Sequence, residues 1–137
     1  MQTIIVKAML VVRNGNKLLF SRGFDTGKKE AFLRPLGGHM EFGEIGAETV
    51  RREMQEEVGC DVLDVKFISA VENLFTYNGK QGHEIILMYE GKLADESLYR
   101  KDKFMFMEGK RETEAGWYSK ADVAKENIPI FPPFNYF

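Results

Sequence analysis

The chain has 137 residues, a formal net charge of −2 and one cysteine, and 44% of its residues are hydrophobic. This length predicts one domain, residues 1–137, with a core of its own. The charge argues against a general nucleic-acid binder, the single cysteine against a disulfide scaffold, and the absence of a long apolar run against a membrane protein, so we expect a cytoplasmic protein.

The first part of the chain predicts short strands. Residues 3–12 and 17–20 are rich in β-branched and aliphatic side chains, and Asn14-Gly15-Asn16 between them suits a tight hairpin turn. Residues 23–29 predict a polar loop. Residues 31–34 predict another strand, which a proline and two glycines end.

A helix follows the glycines. It is predicted to begin at Ile45 or Gly46 and to end at Gly59, because glycine readily adopts the left-handed conformation that ends helices. Apolar residues at three- and four-residue steps predict its buried face. They are Ala47, Val50, Met54 and Val58.

The middle of the chain predicts a long hairpin. Residues 61–75 alternate as a strand does, residues 77–82 contain the glycines of a turn, and residues 83–93 return as the partner strand. One face of the first strand is predicted to carry alternate residues. They are Val65, Phe67, Ser69 and Val71.

The C-terminal third combines a polar stretch, two short predicted elements and an aromatic tail. Residues 94–114 are mostly polar and predict a long loop near the active site, whereas Trp117-Tyr118 predicts a last strand and residues 120–126 a short helix. The aromatic, proline-rich tail, residues 128–137, either contacts a second subunit of a homodimer or folds back on its own sheet. This order of elements predicts an α+β fold with a sheet between helices.

Three carboxylates, Glu53, Glu56 and Glu57, fall on one side of the predicted helix. Unpaired carboxylates in such proximity repel one another, and a hard divalent cation relieves that repulsion. Oxygen ligands suit Mg²⁺ or Mn²⁺, which usually keep positions open for substrate phosphates. The helix therefore indicates a metalloenzyme that acts on phosphates.

Seven residues around these carboxylates fit the pattern G-x5-E-x7-R-E-U-x-E-E-x-G-U, in which U is aliphatic, and the sequence resembles the Nudix box. Met54 and Cys60 occupy the two U positions. The resemblance implies an α/β/α sandwich with a mixed β-sheet. The fixed residues are Gly38, Glu44, Arg52, Glu53, Glu56, Glu57 and Gly59.

The same resemblance implies Mg²⁺-dependent hydrolysis of the diphosphate linkage in a nucleoside diphosphate derivative or a nucleoside triphosphate. The alternative is a non-catalytic regulator that binds nucleotides or RNA ends on the same fold. In the catalytic case, Arg52 orients the glutamates, chiefly by pairing with Glu56. Glu44 binds a water-coordinated ion or ties the loop to the helix. The implied metal ligands are Glu53, Glu56, Glu57 and a backbone carbonyl of Gly37 or Gly38.

The general base is Glu53 by analogy with family members, and later glutamates remain alternatives: Glu84, Glu108, Glu112 and Glu114. For the substrate, Arg34 leads into the glycine loop and is the best candidate to contact phosphate, with Gly38 beside it. Tyr77 lies 17 residues after the box, where some relatives stack a tyrosine on a base. Equal candidates for stacking are Phe75, Phe106, Trp117 and Phe131.

Overall fold

A computed structural model describes residues 2–137, which form nine strands, two α-helices and one 3₁₀ helix. In chain order these are β1 (Ile5–Val11), β2 (Arg13–Asn14), β3 (Lys17–Asp25), β4 (Glu30–Arg34), β5 (Leu36–His39), α1 (Gly46–Val58), β6 (Val62–Tyr77), β7 (Lys80–Leu93), the 3₁₀ helix (Glu96–Arg100), β8 (Lys103–Glu108), β9 (Arg111–Ser119) and α2 (Lys120–Glu126). No helix of this part of the chain is long and apolar enough to cross a membrane.

The strands form two sheets. The first has the order β5-β1-β7-β6, in which β1 and β7 are parallel and the other pairs are antiparallel. The second is antiparallel, with the order β2-β3-β9-β8 and with β4 beside β3. The predicted α+β class and the mixed sheet are therefore confirmed, and the strands are divided between two sheets rather than gathered in one.

Helix α1 matches its prediction at both ends. It begins at Gly46, where the carboxylate of Glu48 accepts a hydrogen bond from the Ile45 amide at 3.2 Å, and it is ended by Gly59 at φ +72°. Val50 and Met54 are fully buried against the first sheet. This packing fixes the rotation of the helix, so the carboxylates on the border of the buried face lie beside β5.

The tail folds back on its own chain. Phe131 donates from its amide to the carbonyl of Leu33 at 2.8 Å, and Leu33 donates to the carbonyl of Pro129 at 2.9 Å. Tyr136 is buried in a second core with Phe20. The second of the two predicted positions for the tail is thus the observed one, and the homodimer stays a prediction.

The prediction of a loop at residues 94–114 is wrong. This segment holds the 3₁₀ helix and the hairpin of β8 and β9, in which Phe106 lies opposite Thr113. Phe104 to Met107 are four apolar residues in a row, so the alternation that marks a half-buried strand is missing from the sequence. Phe106 is buried, and Met105 and Met107 are exposed.

Three smaller differences concern strand ends and one strand face. Residues 23–25 belong to β3, and the turn predicted over residues 77–82 narrows to Asn78-Gly79, both with positive φ. On β6, the pairing with β7 shifts register between Phe67 and Ser69. Because such a shift breaks the two-residue alternation, Phe67 is exposed instead of sharing the half-buried face of Val65.

Candidate functional site

Arg52 connects the acidic residues of the site. Its Nε and Nη2 donate to the two carboxylate oxygens of Glu44 at 2.9 and 2.8 Å, and its Nη1 donates to Glu53 at 3.0 Å. The predicted contact with Glu56 is present but longer, at 3.3 Å, and Nη2 also donates to the His39 carbonyl at 2.9 Å. The guanidinium therefore holds the loop before α1, the end of β5 and the helix carboxylates together.

Glu44 ties the loop to the helix, one of the two roles considered for it. Its carboxylate accepts hydrogen bonds from the Glu41 amide at 3.0 Å and from the Thr49 hydroxyl at 2.7 Å. The hydrogen bonds from Arg52, followed by that from Thr49, lower the pKa of Glu44 to about 2. Glu44 is thus a permanently ionised partner of Arg52, whose own pKa is raised mainly by Glu44.

Glu53 and Glu57 approach each other at the border of α1. Burial, followed by a contact with the carboxylate of Glu53, raises the pKa of Glu57 to about 9. Gly38 lies so close to Glu53 that a side-chain carbon at position 38 would collide with the carboxylate. A side-chain carbon on Gly37 would likewise collide with the backbone of Ala8. The glycines therefore let β5 approach both the sheet and the acidic pair.

The acidic pair fits a divalent cation. Two adjacent carboxylates that cannot both ionise gain from a positive charge, and Mg²⁺ sites commonly use one or two carboxylates together with substrate phosphates. Glu56 is placed differently, because its side chain is 58% exposed and contacts Arg52. Accordingly, no group of three or more His, Cys, Asp or Glu side chains within residues 2–137 is arranged to hold a metal.

A cavity of about 210 Å³ opens beside the acidic pair. Its lining includes Glu53, Glu57, Gly37 and Gly38 together with Arg34 and Glu108. Arg34 forms an ion pair with Glu108, which stands at the end of β8. The cavity thus brings together acidic groups and an arginine that is suited to phosphate.

A larger cleft of about 380 Å³ continues from this cavity between the two sheets. Lys7, Arg34 and Glu108 line both spaces, so the two form one continuous depression. Tyr77 lines the cleft and contacts Phe32 edge to face, with 5.7 Å between ring centroids. The remaining aromatic walls of the cleft are Phe75 and Phe131.

The positions of the other predicted candidates separate into two groups. Glu84 and Glu108 line the cleft, whereas Glu112 is exposed outside it and Glu114 contacts Lys103 at 3.4 Å. Among the aromatic candidates, Trp117 stacks on Tyr99 in the core beneath α1, at 5.2 Å between centroids, and Phe106 lines the smaller cavity.

The cleft also contains residues that were not predicted from the sequence, among them Lys7, Asn73 and Thr113. Asn73 and Thr113 carry no sequence signal because they lie on strands of different sheets, which border the same cleft only in the folded chain. For Lys7 a signal exists, since it is the one charged residue in the apolar run from Ile4 to Val12. A charge within a buried strand indicates a polar partner or a binding site.

Comparison with known proteins identifies the family and the fold. A family model described as the NUDIX domain matches residues 3–134. A NUDIX hydrolase from Nitrosomonas europaea is similar in structure with a TM-score of 0.68 and 21% identity, over 95% of this chain and 82% of that one. A MutT NUDIX hydrolase from Burkholderia pseudomallei gives a TM-score of 0.61 and 18% identity, over 88% and 87%.

A third similar structure is described as an ADP compounds hydrolase, with a TM-score of 0.58 and 20% identity over 92% of this chain and 63% of that one. At such identities the structures demonstrate the common fold, including the mixed sheet predicted from the sequence. The family match spans nearly the whole chain and includes the seven fixed residues of the box. The chain therefore belongs to the NUDIX domain family, and we assign it to the Nudix class of hydrolases.

Proposed function

We propose that the protein hydrolyses the diphosphate linkage of a small nucleotide with Mg²⁺ or Mn²⁺ as cofactor. The substrate is a nucleoside diphosphate derivative or a nucleoside triphosphate. The main support for the proposal is the contact between Glu53 and Glu57 in the smaller cavity, which continues into the cleft between the two sheets. The description of a structural relative as an ADP compounds hydrolase supports the same substrate class.

Glu53, Glu57 and the Gly37 carbonyl would hold the ion, and Glu56 would supply a third carboxylate from the solvent side. The raised pKa of Glu57 supports this assignment, because a group that resists ionisation alone is stabilised as a carboxylate by a cation. When bound, the ion supplies charge neutralisation at the phosphates and lowers the pKa of water.

Glu53 is the proposed general base, because it lies in the smaller cavity and is positioned by Arg52 at 3.0 Å. Arg52 and Glu44 act through this positioning. Arg34 is proposed to bind phosphate, in exchange for its present pairing with Glu108. Gly38 lines the smaller cavity beside Glu53 and is proposed to lie next to the diphosphate, and Tyr77 is proposed to stack on the base.

The test is hydrolysis of a panel of nucleoside triphosphates, nucleoside diphosphate sugars, dinucleoside polyphosphates and capped RNA with Mg²⁺. We expect a nucleoside monophosphate as one product, and pyrophosphate or a phosphorylated partner as the other. Glu57→Gln should abolish turnover, and Glu72→Gln, on an exposed position of β6, should not. Binding without hydrolysis by the unmodified protein would favour the regulatory alternative instead.

A further inference from the structure

Three polar side chains form a row across the floor of the larger cleft. Lys7 on β1 donates from Nζ to Oε2 of Glu84 on β7 at 2.7 Å, and Asn73 on β6 donates from Nδ2 to Oε1 of Glu84 at 3.5 Å. The side chains of Lys7 and Glu84 are only 15% and 7% exposed, and Asn73 is 5% exposed. Because β1, β7 and β6 are neighbours, the row runs away from the acidic pair toward Tyr77.

The row is a costly arrangement if its function is only structural. The free-energy cost of removing an ammonium and a carboxylate from water can exceed the gain from their attraction. Apolar side chains of similar size would therefore stabilise the fold equally well. Its hydrogen-bonding capacity is also incompletely used. An ammonium has three donors and a carboxylate about four acceptor positions, while the contact from Asn73 is at the limit of a hydrogen bond.

A fourth polar group faces the same space from the opposite sheet. The hydroxyl of Thr113 lines the cleft, is buried at 6% exposure, and has no hydrogen-bond partner among residues 2–137. Buried polar groups in native proteins are almost always paired. An unpaired hydroxyl opposite a partly used ion pair indicates that a polar ligand completes the set.

The order of the polar atoms selects the ligand. Lys7 offers a donor, and Oε2 and Oε1 of Glu84 then offer two acceptors, which is the donor–acceptor–acceptor order of the cytosine Watson–Crick edge. Its complement is acceptor–donor–donor, which among the common bases is found in the O6, N1–H and N2–H of guanine. We propose that Lys7 and Glu84 read the Watson–Crick edge of a guanine base.

The rest of the cleft suits a flat ring. Phe75, Tyr77 and Phe32 line it, and aromatic walls stack on a planar base better than on a sugar. Lys7 lines both the cleft and the cavity beside Glu53, so a base in the cleft continues from a diphosphate at the acidic pair. The inference rests on the proposed function for the position of the diphosphate.

The first experiment compares the binding of guanosine, inosine and adenosine 5′-monophosphates to the unmodified protein by titration calorimetry. Inosine lacks the N2 amino group, and adenosine presents a different edge. We expect about tenfold weaker binding of the inosine nucleotide, which loses one of the three base contacts, and at least about a hundredfold weaker binding of the adenosine nucleotide, which loses all three. Equal affinity for the guanosine nucleotide and either of the others overturns the inference.

The second experiment replaces Glu84. In Glu84→Gln a donor takes the place of one acceptor, so the preference for the guanosine over the adenosine nucleotide should fall at least about tenfold. Glu72→Gln, an exposed glutamate on β6, should keep the preference. Since a lone charge on Lys7 can destabilise the fold, the double variant Lys7→Met/Glu84→Gln is measured as well. A guanine preference that survives in either folded variant overturns the assignment.

Guanine recognition and hydrolysis are tested by separate outcomes. Nucleoside monophosphates have no diphosphate linkage, so their binding does not depend on hydrolysis. A guanine preference that depends on Glu84, in a protein inert on the whole substrate panel, would contradict the proposed hydrolase and keep the inference. Hydrolysis of nucleotides without any base preference would contradict the inference and keep the hydrolase.

Discussion

Arg52 donates two hydrogen bonds to the carboxylate of Glu44, from Nε at 2.9 Å and from Nη2 at 2.8 Å. Its remaining nitrogen, Nη1, donates to Glu53 at 3.0 Å. One planar guanidinium thus joins the loop before α1 to the proposed general base. Only arginine has the donors for this geometry, because the ammonium of lysine acts as a single point of charge.

Arg52→Lys should therefore lower kcat by about a hundredfold, because Glu53 loses its orientation while the charge is kept. The measurement is steady-state kinetics at saturating Mg²⁺, with thermal unfolding to confirm the fold. Arg51→Lys is the matched control, since Arg51 is an exposed neighbour on the same helix. An equal loss in both variants would remove the positioning role of Arg52.

The raised pKa of Glu57 predicts a pH-dependent stability without metal. The carboxyl stays protonated in the folded chain up to about pH 9, against 4.5 for an ordinary glutamate. Between these values the unfolded chain is ionised at this position and the folded chain is not, so the free energy of unfolding falls as pH rises. Thermal unfolding between about pH 5 and pH 9 should show this slope.

A cation changes that slope, because it binds the ionised form and displaces the proton. The rise of Tm on adding Mg²⁺ should accordingly be larger at about pH 8 than at about pH 6. In Glu57→Gln, both the intrinsic slope from this group and the metal-induced rise should disappear. The same Mg²⁺ response in Glu57→Gln and in the unmodified protein would place the ion elsewhere.

Alanine substitutions at Gly38 and Gly59 should have different effects, on kcat and on stability respectively, although both glycines belong to the box. A side chain on Gly38 would meet the Glu53 carboxylate, whereas Gly59 has open space around it and a φ of +72°. Gly38→Ala should thus reduce kcat by displacing Glu53. Gly59→Ala should cost about 1 kcal/mol of stability through its left-handed backbone and leave kcat unchanged. Kinetics and denaturant unfolding of the two variants test this contrast.

The choice of general base is tested by two matched substitutions in the smaller cavity. Glu53→Gln should lower kcat by about a hundredfold to ten-thousandfold, the usual contribution of general base catalysis. Glu108→Gln should chiefly alter KM, because it releases Arg34 from its ion pair. The reverse outcome, with kcat lost in Glu108→Gln and retained in Glu53→Gln, assigns the base to Glu108.

The sequence predicted the bounds of α1 and the approach of Glu53 to Glu57 because their determinants are local, whereas the exposed position of Glu56 differs from the single acidic face that was predicted. Helical spacing places Val50 and Met54 in the core, and the same spacing puts Glu53 and Glu57 on the border of that face. The stop at Gly59 is likewise a property of one residue. Local rules suffice for such a segment.

The cleft could not be predicted in this way, since its members become neighbours only when strands pair and the two sheets face each other. Lys7 and Asn73 lie on β1 and β6 of the first sheet and Thr113 lies on β9 of the second, and no short stretch of sequence specifies this arrangement. The β8–β9 hairpin was missed for a related reason. Its apolar residues do not alternate, and Phe106 is buried in the same core as Val50 and Met54 of α1, which only the folded chain brings together.

The Glu53–Glu57 pair is proposed to hold a divalent ion for the substrate diphosphate. Electron paramagnetic resonance of Mn²⁺, titrated with protein, measures this directly because bound Mn²⁺ loses its free-ion signal. We expect saturable binding by the unmodified protein and by Glu72→Gln, and its loss in Glu53→Gln/Glu57→Gln. Unchanged Mn²⁺ binding in that double variant would show that other residues hold the ion.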